Sequence, residues 1–226
     1  MAVEFEIISI GTLSQNRLWG ESAAVRTAHA TTTLVRDGGR TILVDPSLPA
    51  QILAARLFER TGRGLDSITD VFCTTLRPIH RRGIEAFESA RWWASEIELA
   101  GYRQHLERLR EAAGRLDTDA PAAIDAELAL LKRFAPAPEK FSEQVQVYPL
   151  AGATAGAAGL LLLPATQAIV IAGDAAITAE HVRRGQVWAG CVDAQAALQT
   201  LGDLIELADA IVPGHDNVMF FQRHWL

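Results

Sequence analysis

Cysteine is nearly absent, with only Cys73 and Cys191 in 226 residues. Two thiols cannot build a disulfide framework or a four-cysteine zinc site. Both lie beside apolar residues and read as buried free thiols, which places the expected compartment among the reducing, cytoplasmic ones. An excess of positive charge is missing as well. Lys and Arg number 21 against 27 Asp and Glu, a net charge of −6, so the chain is a poor candidate for tracking nucleic acid. No unbroken apolar run approaches the ~18 residues of a membrane span. The apolar-rich stretch Ala151–Gly173 is interrupted by Pro164, Thr166 and Gln167. The first six residues, Met1 to Glu6, start acidic and do not read as a secretory signal. Internal repeats and low-complexity linkers are lacking too.

What is present is the balance of a globular chain, 49% apolar and 21% charged. The length fits a single domain, residues 1–226. The first third reads as strands. Glu4–Ile10 alternates, and Thr31–Val35 runs into Asp37-Gly38-Gly39 and then Thr41–Val44, a hairpin pattern. Ala50–Arg60 has helical spacing and closes at Gly62. Ile68–Thr74 is a further buried-strand candidate. Ser95-x-x-Glu98 is a capping box opening a helix through about Ala113, and Asp119-Ala120-Pro121 starts a second helix to about Phe134. The pair forms a helical insertion at about 95–135. Strands return at Gln144–Leu150, Ala158–Leu163, Ala168–Ala172 and Ile211-Val212. Helices are expected at Thr178–Arg184 and Asp193–Leu207.

Four landmarks stand in order: Thr41–Asp45, a strand ending in Asp; Ile68–His80, a strand entering Thr75-Leu76-Arg77-Pro78-Ile79-His80; Ile169–Asp174, a strand ending in Gly-Asp; and Ile211–Asp216, with Pro213-Gly214-His215. Together they resemble the metallo-β-lactamase superfamily across nearly the whole chain. The resemblance implies an α/β fold, a four-layer αββα sandwich of two packed mixed β-sheets. It also implies descent from metal-dependent hydrolases whose His-x-His-x-Asp-His loop and Gly-His-Thr loop hold two metals, usually zinc. Here those positions are Thr75, Arg77, Ile79 and His80, and then Gly152-Ala153-Thr154. The first metal site has thus lost its three histidines. The second has lost one carboxylate, at Ile79, and keeps His80, Asp174 and His215.

Two readings follow. In one, His80, Asp174 and His215 hold a single zinc or other divalent transition metal, and the chain is a mononuclear hydrolase of an ester, lactone or related bond. In the other, the residues are relics that bond one another in a metal-free pocket. Charge favours the second. Arg77 is permanently cationic and offers a planar fork of donors, so it can neutralise Asp174 and repel a divalent ion. Arg77 and Asp174 then form a pocket for a small-molecule ligand or substrate, with Arg77 placed to receive a carboxylate or phosphate. Asp45 reads as a residue behind the metal position or a plain turn former before Pro46, and Asp216 as the group that orients the His215 imidazole. Of the other histidines, His29 reads as an edge residue, and His105 and His181 as solvated helix residues. Trp92-Trp93 suits a cleft wall or a core anchor. The aromatic C-terminus from Phe220 through His224 and Trp225 reads as a docking tail.

Overall fold

The structure is a computed structural model and describes residues 2–113 and 119–221. The tail from Gln222 to Trp225, with His224, lies outside the described residues. Two six-stranded sheets form the centre. The first runs in spatial order β1 (Glu4–Ser9), β2 (Thr32–Asp37), β3 (Arg40–Val44), β4 (Asp70–Phe72), β5 (Arg91–Ala94) and β6 (Phe134–Pro136). Its first two pairings are antiparallel and its last three parallel. The second sheet runs from β7 (Lys140–Ser142) through β8 (Val145–Pro149), β9 (Ala158–Leu162), β10 (Ile169–Gly173) and β11 (Ala210–Pro213) to β12 (Met219–Phe220). Here only β10 and β11 are parallel. Both sheets are mixed, as the resemblance implies.

The period-two alternation of strand side chains sorts the core into three apolar layers. Val35, Ile42, Val44 and Phe72 point inward from the first sheet and meet Leu160, Leu162, Ile171 and Val212 of the second. Their neighbours Leu34, Leu43 and Val71 point outward. They pack under helices α1 (Ala50–Thr61), α2 (Glu96–Ala113) and α3 (Ala120–Leu131). On the far side, Leu161, Val170 and Ile211 pack under α4 (Ala179–Arg183) and α5 (Ala194–Leu207). The result is the expected αββα order of layers.

Several local rules decide the element ends. The hairpin between β2 and β3 turns at Gly38, whose φ is 59°. Helix α1 stops at Gly62 in the left-handed conformation, donating its N–H to the Phe58 carbonyl at 2.8 Å. Asp193 caps α5 by accepting from the N–H groups of Gln195 and Ala196. Phe134 departs from expectation. It completes the apolar stripe of a helix in sequence, yet it opens β6 and sets its ring edge-on to Trp92 at 5.5 Å. Trp92 and Trp93 therefore belong to a strand, with Trp92 buried in the core.

The fold positions one end of both sheets for chemistry. Parallel neighbours β3 and β4 end together, as do β10 and β11. The segments that follow β3, β4, β10 and β11 carry Asp45, Arg77 and His80, Asp174 and His215 respectively. Two backbone bonds stitch the two halves: Ala158 N–H to the Thr74 carbonyl at 3.1 Å, and Thr31 N–H to the Gly214 carbonyl at 2.6 Å. Among the described residues no helix is long and apolar enough to cross a membrane.

Candidate active site

Asp45 sits just past β3 with φ at 51°, a left-handed conformation that Asp tolerates better than most residues. This sharp exit aims its carboxylate at the start of the next loop. One oxygen accepts the Thr74 N–H at 2.8 Å. The other accepts the Thr74 hydroxyl at 2.7 Å and His80 Nδ1 at 2.9 Å. Asp45 thus holds the His80 ring from behind, because a carboxylate is acceptor-only and obliges Nδ1 to carry a proton.

His80 is fully buried, on a short 3-10 turn begun by Pro78. With Nδ1 fixed, Nε2 points forward to Asp174 Oδ1 at 3.1 Å. His215 approaches the same oxygen through its own Nε2 at 3.2 Å. Its Nδ1 is anchored on the backbone carbonyls of His29 at 2.9 Å and Thr12 at 3.2 Å. The two rings meet edge-on at 5.9 Å. Gly173, at φ 53°, makes the turn that delivers Asp174. A Cβ there would lie 2.3 Å from the Thr74 hydroxyl, so no other residue fits this position without displacement.

Arg77 closes the constellation. Nη1 donates to Asp174 Oδ2 at 2.5 Å, and Nη2 to the carbonyls of Ala153 at 2.7 Å and Gly190 at 3.1 Å. Its guanidinium lies 4.6 Å from the ring centre of Trp188. Asp174 is 3% exposed and is shared by one guanidinium and two imidazoles. Burial alone would raise its pKa, but His80, His215 and their hydrogen bonds hold it well below the usual carboxylate range. For His80, burial opposes the charged form, and the facing Asp174 and Asp45 carboxylates outweigh it, pushing the pKa up to about 10. His80 is accordingly an imidazolium at neutral pH.

The sequence-predicted residues Arg77, His80, Asp174, His215 and Asp45 are brought together. Asp216 is not part of this contact set. Its carboxylate accepts the N–H groups of Ala179 and Asn217, and backbone carbonyls orient His215 in its place. The cause is the turn after Pro213, which points the Asp216 side chain toward the start of α4. His29 sits at the edge, its Nε2 on the Ile10 carbonyl at 3.0 Å. His181 is corrected from a solvated residue to a buried one, 8% exposed, with Nδ1 on the Thr178 hydroxyl at 2.7 Å. Cys73 is buried as expected, whereas Cys191 is half-buried.

Sequence reasoning missed Glu98. Its capping-box pattern is half fulfilled: Ser95 Oγ accepts the Glu98 N–H at 3.0 Å. The carboxylate, 4% exposed, turns away to accept the Leu76 N–H at 2.8 Å and the Thr154 hydroxyl at 2.6 Å. It ties the loop carrying Arg77 to the loop whose Ala153 carbonyl receives Arg77. Trp188 was also missed, since nothing in its spacing distinguishes it.

His80, Asp174 and His215 each offer one ligand atom, and these atoms all lie within 4.8 Å of one another. Ligands at 2.0–2.2 Å from one tetrahedral zinc stand roughly 3.4 Å apart, so the set fits a single ion with an open position. Among the described residues this is the one such cluster, and Thr75, Arg77 and Ala153 carry no imidazole for a second. The Thr75 hydroxyl is buried and unpartnered. Beside these groups opens a cleft of about 780 Å³, walled by the segments 13–18 and 185–190. That volume suits a small molecule.

The fold is that of the metallo-β-lactamase superfamily. A Thermotoga maritima protein assigned as a metallo-beta-lactamase superposes with a TM-score of 0.71 at 16% identity, covering 98% of this chain and 100% of its own. AidC, a dizinc quorum-quenching lactonase solved with the product N-hexanoyl-L-homoserine, gives 0.67 at 17% identity over 87% of this chain and 76% of its own. AbOPH, a hydrolase in the beta lactamase superfamily, gives 0.63 at 16% identity over 100% and 92%. No family model and no curated protein matches the sequence.

Proposed function

We propose that this chain is a small-ligand-binding descendant of a metal-dependent hydrolase, with an arginine-centred polar network in place of the metal centre. The observation that carries this reading is the 2.5 Å pair between Arg77 and Asp174. Arg77 satisfies the carboxylate oxygen that would otherwise face a first metal. Arg77 is a permanent cation against Asp174, so this buried carboxylate has a charge partner without any metal. A divalent ion ~5 Å from a guanidinium meets a repulsion of about 7 kcal/mol at an effective dielectric of about 20. It would also have to displace the His80 Nε2 proton.

The ligand-atom spacing supports a second reading, a mononuclear hydrolase. His80, Asp174 and His215 would hold one zinc or similar ion, which would supply Lewis acidity and an activated water. In that case Arg77 would hold the anionic part of the substrate. Calorimetric titration of untagged protein with zinc at pH 7 separates the two. The first reading expects no saturable one-to-one site in the wild type and the appearance of one in Arg77→Ala. A tight stoichiometric site in the wild type supports the second.

A further inference from the structure

The loop that carries Arg77 and His80 is gripped from outside the site. Leu76, the residue before Arg77, is fully buried, and its backbone is held by a side chain at each end. Its N–H donates to Glu98 Oε1 of α2 at 2.8 Å. Its carbonyl, part of the peptide bond into Arg77, accepts Arg81 Nε at 2.8 Å. Arg81 directly follows His80, so its side chain reaches back across the whole turn. Arg81 Nη2 goes on to donate to the Tyr102 hydroxyl of α2 at 3.1 Å and to the Glu127 carboxylate of α3. Tyr102 sets its ring 5.6 Å from the same guanidinium and donates its hydroxyl to Glu127 at 3.4 Å. The Arg81 side chain is 4% exposed. Burial opposes its charge, and the bond to Glu127 with the charge behind it outweighs burial, holding the pKa above its ordinary value. An apolar side chain of similar volume packs such a place at least as well as a buried ion pair does. What the pair adds is direction: a planar fork fixed at one end on α2 and α3 and at the other on the Leu76 carbonyl.

We infer that Arg81 is a positioning residue for Arg77, aimed by Glu127 and Tyr102, so that the α2–α3 pair sets where the Arg77 guanidinium meets Asp174. Arg77 itself bonds Asp174 and the carbonyls of Ala153 and Gly190, none of them on the two helices. The influence therefore passes through the Leu76 backbone, which cannot turn without breaking a bond at one end or the other. The same helices share a second ion pair, Arg110 with Asp125 at 2.8 Å, about half exposed on both sides. That pair takes no part in the chain of bonds to Leu76 and serves as the control. The inference gives the helical insertion a role in the site, and it rests on the reading of Arg77 as the centre of the network.

Nitrogen-15 NMR of the arginine side chains in the untagged full chain is the test, with the Arg77 signals identified by their loss in Arg77→Lys. A guanidinium bonded at both Nη groups rotates slowly about Nε–Cζ and shows two separate Nη signals, which is the expected wild-type result for Arg77. Glu127→Ala removes the anchor of Arg81 and should speed the rotation of Arg77 about tenfold, the effect of roughly 1.4 kcal/mol on a barrier. Glu127→Gln keeps an acceptor for Nη2 and should fall between the two. Tyr102→Phe keeps the ring, loses the hydroxyl and should act in the same direction. Arg110→Gln loosens the same two helices at the surface and should leave Arg77 as it is. Unchanged Arg77 rotation in both Glu127 variants would overturn the inference, and so would an equal acceleration in Arg110→Gln, which would mean general loosening. Averaged Nη signals for Arg77 in the wild type itself would instead overturn the network reading, and the inference with it.

Discussion

Arg77→Ala tests whether the arginine is part of the architecture of the site. The substitution removes a charge-assisted hydrogen bond to a carboxylate that is 3% exposed. A hydrogen bond to a charged group is worth about 1.5–3 kcal/mol, and breaking a fully buried ion pair by removing one partner costs about 3–5 kcal/mol. Two observations pull the figure down within that range. Asp174 keeps its two imidazoles, and the Arg77 side chain is 21% exposed, so water can enter the space it leaves. Two others push it up: the bonds to the Ala153 and Gly190 carbonyls are lost, and so is the contact with Trp188, worth about 0.5–1 kcal/mol at a partly exposed site. The expected destabilisation is about 3 kcal/mol, read as a lower urea midpoint at pH 7 with an unchanged slope. Arg77→Lys keeps the charge and loses the fork, and should cost about half as much. A loss below about 1 kcal/mol in Arg77→Ala would refute the claim that this pair stands in for the metal site.

The network also predicts a pH profile. His80 has its folded pKa raised from 6.5 to about 10, so its contribution is complete below pH 6.5 and is lost as pH rises through about 10. Asp174 is lowered, so its contribution is complete above the unfolded value of 3.8 and is lost as pH falls toward the folded one. Thermal melts should show a plateau between those limits and an alkaline decline that His80→Gln flattens; an alkaline limb unchanged in that variant would contradict the assignment. Glu98→Ala should cost about 2–3 kcal/mol by stranding the buried Leu76 N–H and freeing Thr154, whereas Glu98→Gln, which keeps an acceptor for Leu76, should cost under about 1 kcal/mol in urea melts.

Much of this was legible in sequence because strand ends carry their own punctuation. Asp45 before Pro46, Gly173-Asp174 and Pro213-Gly214-His215 each follow a β-branched run, and the turn chemistry fixes where the side chain emerges. Two of the short parallel strands, β5 and β6, were not legible. Arg91–Ala94 has four residues with two tryptophans, and Phe134–Pro136 begins on a residue that also fits the helix before it. Periodicity cannot assign such pieces; pairing in the sheet does. Glu98 hid inside a valid capping pattern, because Ser95 caps the helix whether or not the carboxylate returns to it. The role of Asp216 was misjudged for a related reason: adjacency to His215 says nothing of direction, and two backbone carbonyls orient that ring. Trp188 and His181 acquire meaning only from the cleft, a property of folded walls that no local spacing encodes.

The central claim is that an arginine-centred network has replaced the metal. Its most direct test is the metal content of untagged protein purified without chelators, measured by elemental analysis against protein concentration. The account predicts zinc, iron and manganese all far below one equivalent per chain. One equivalent of any of them, retained through gel filtration, would contradict it.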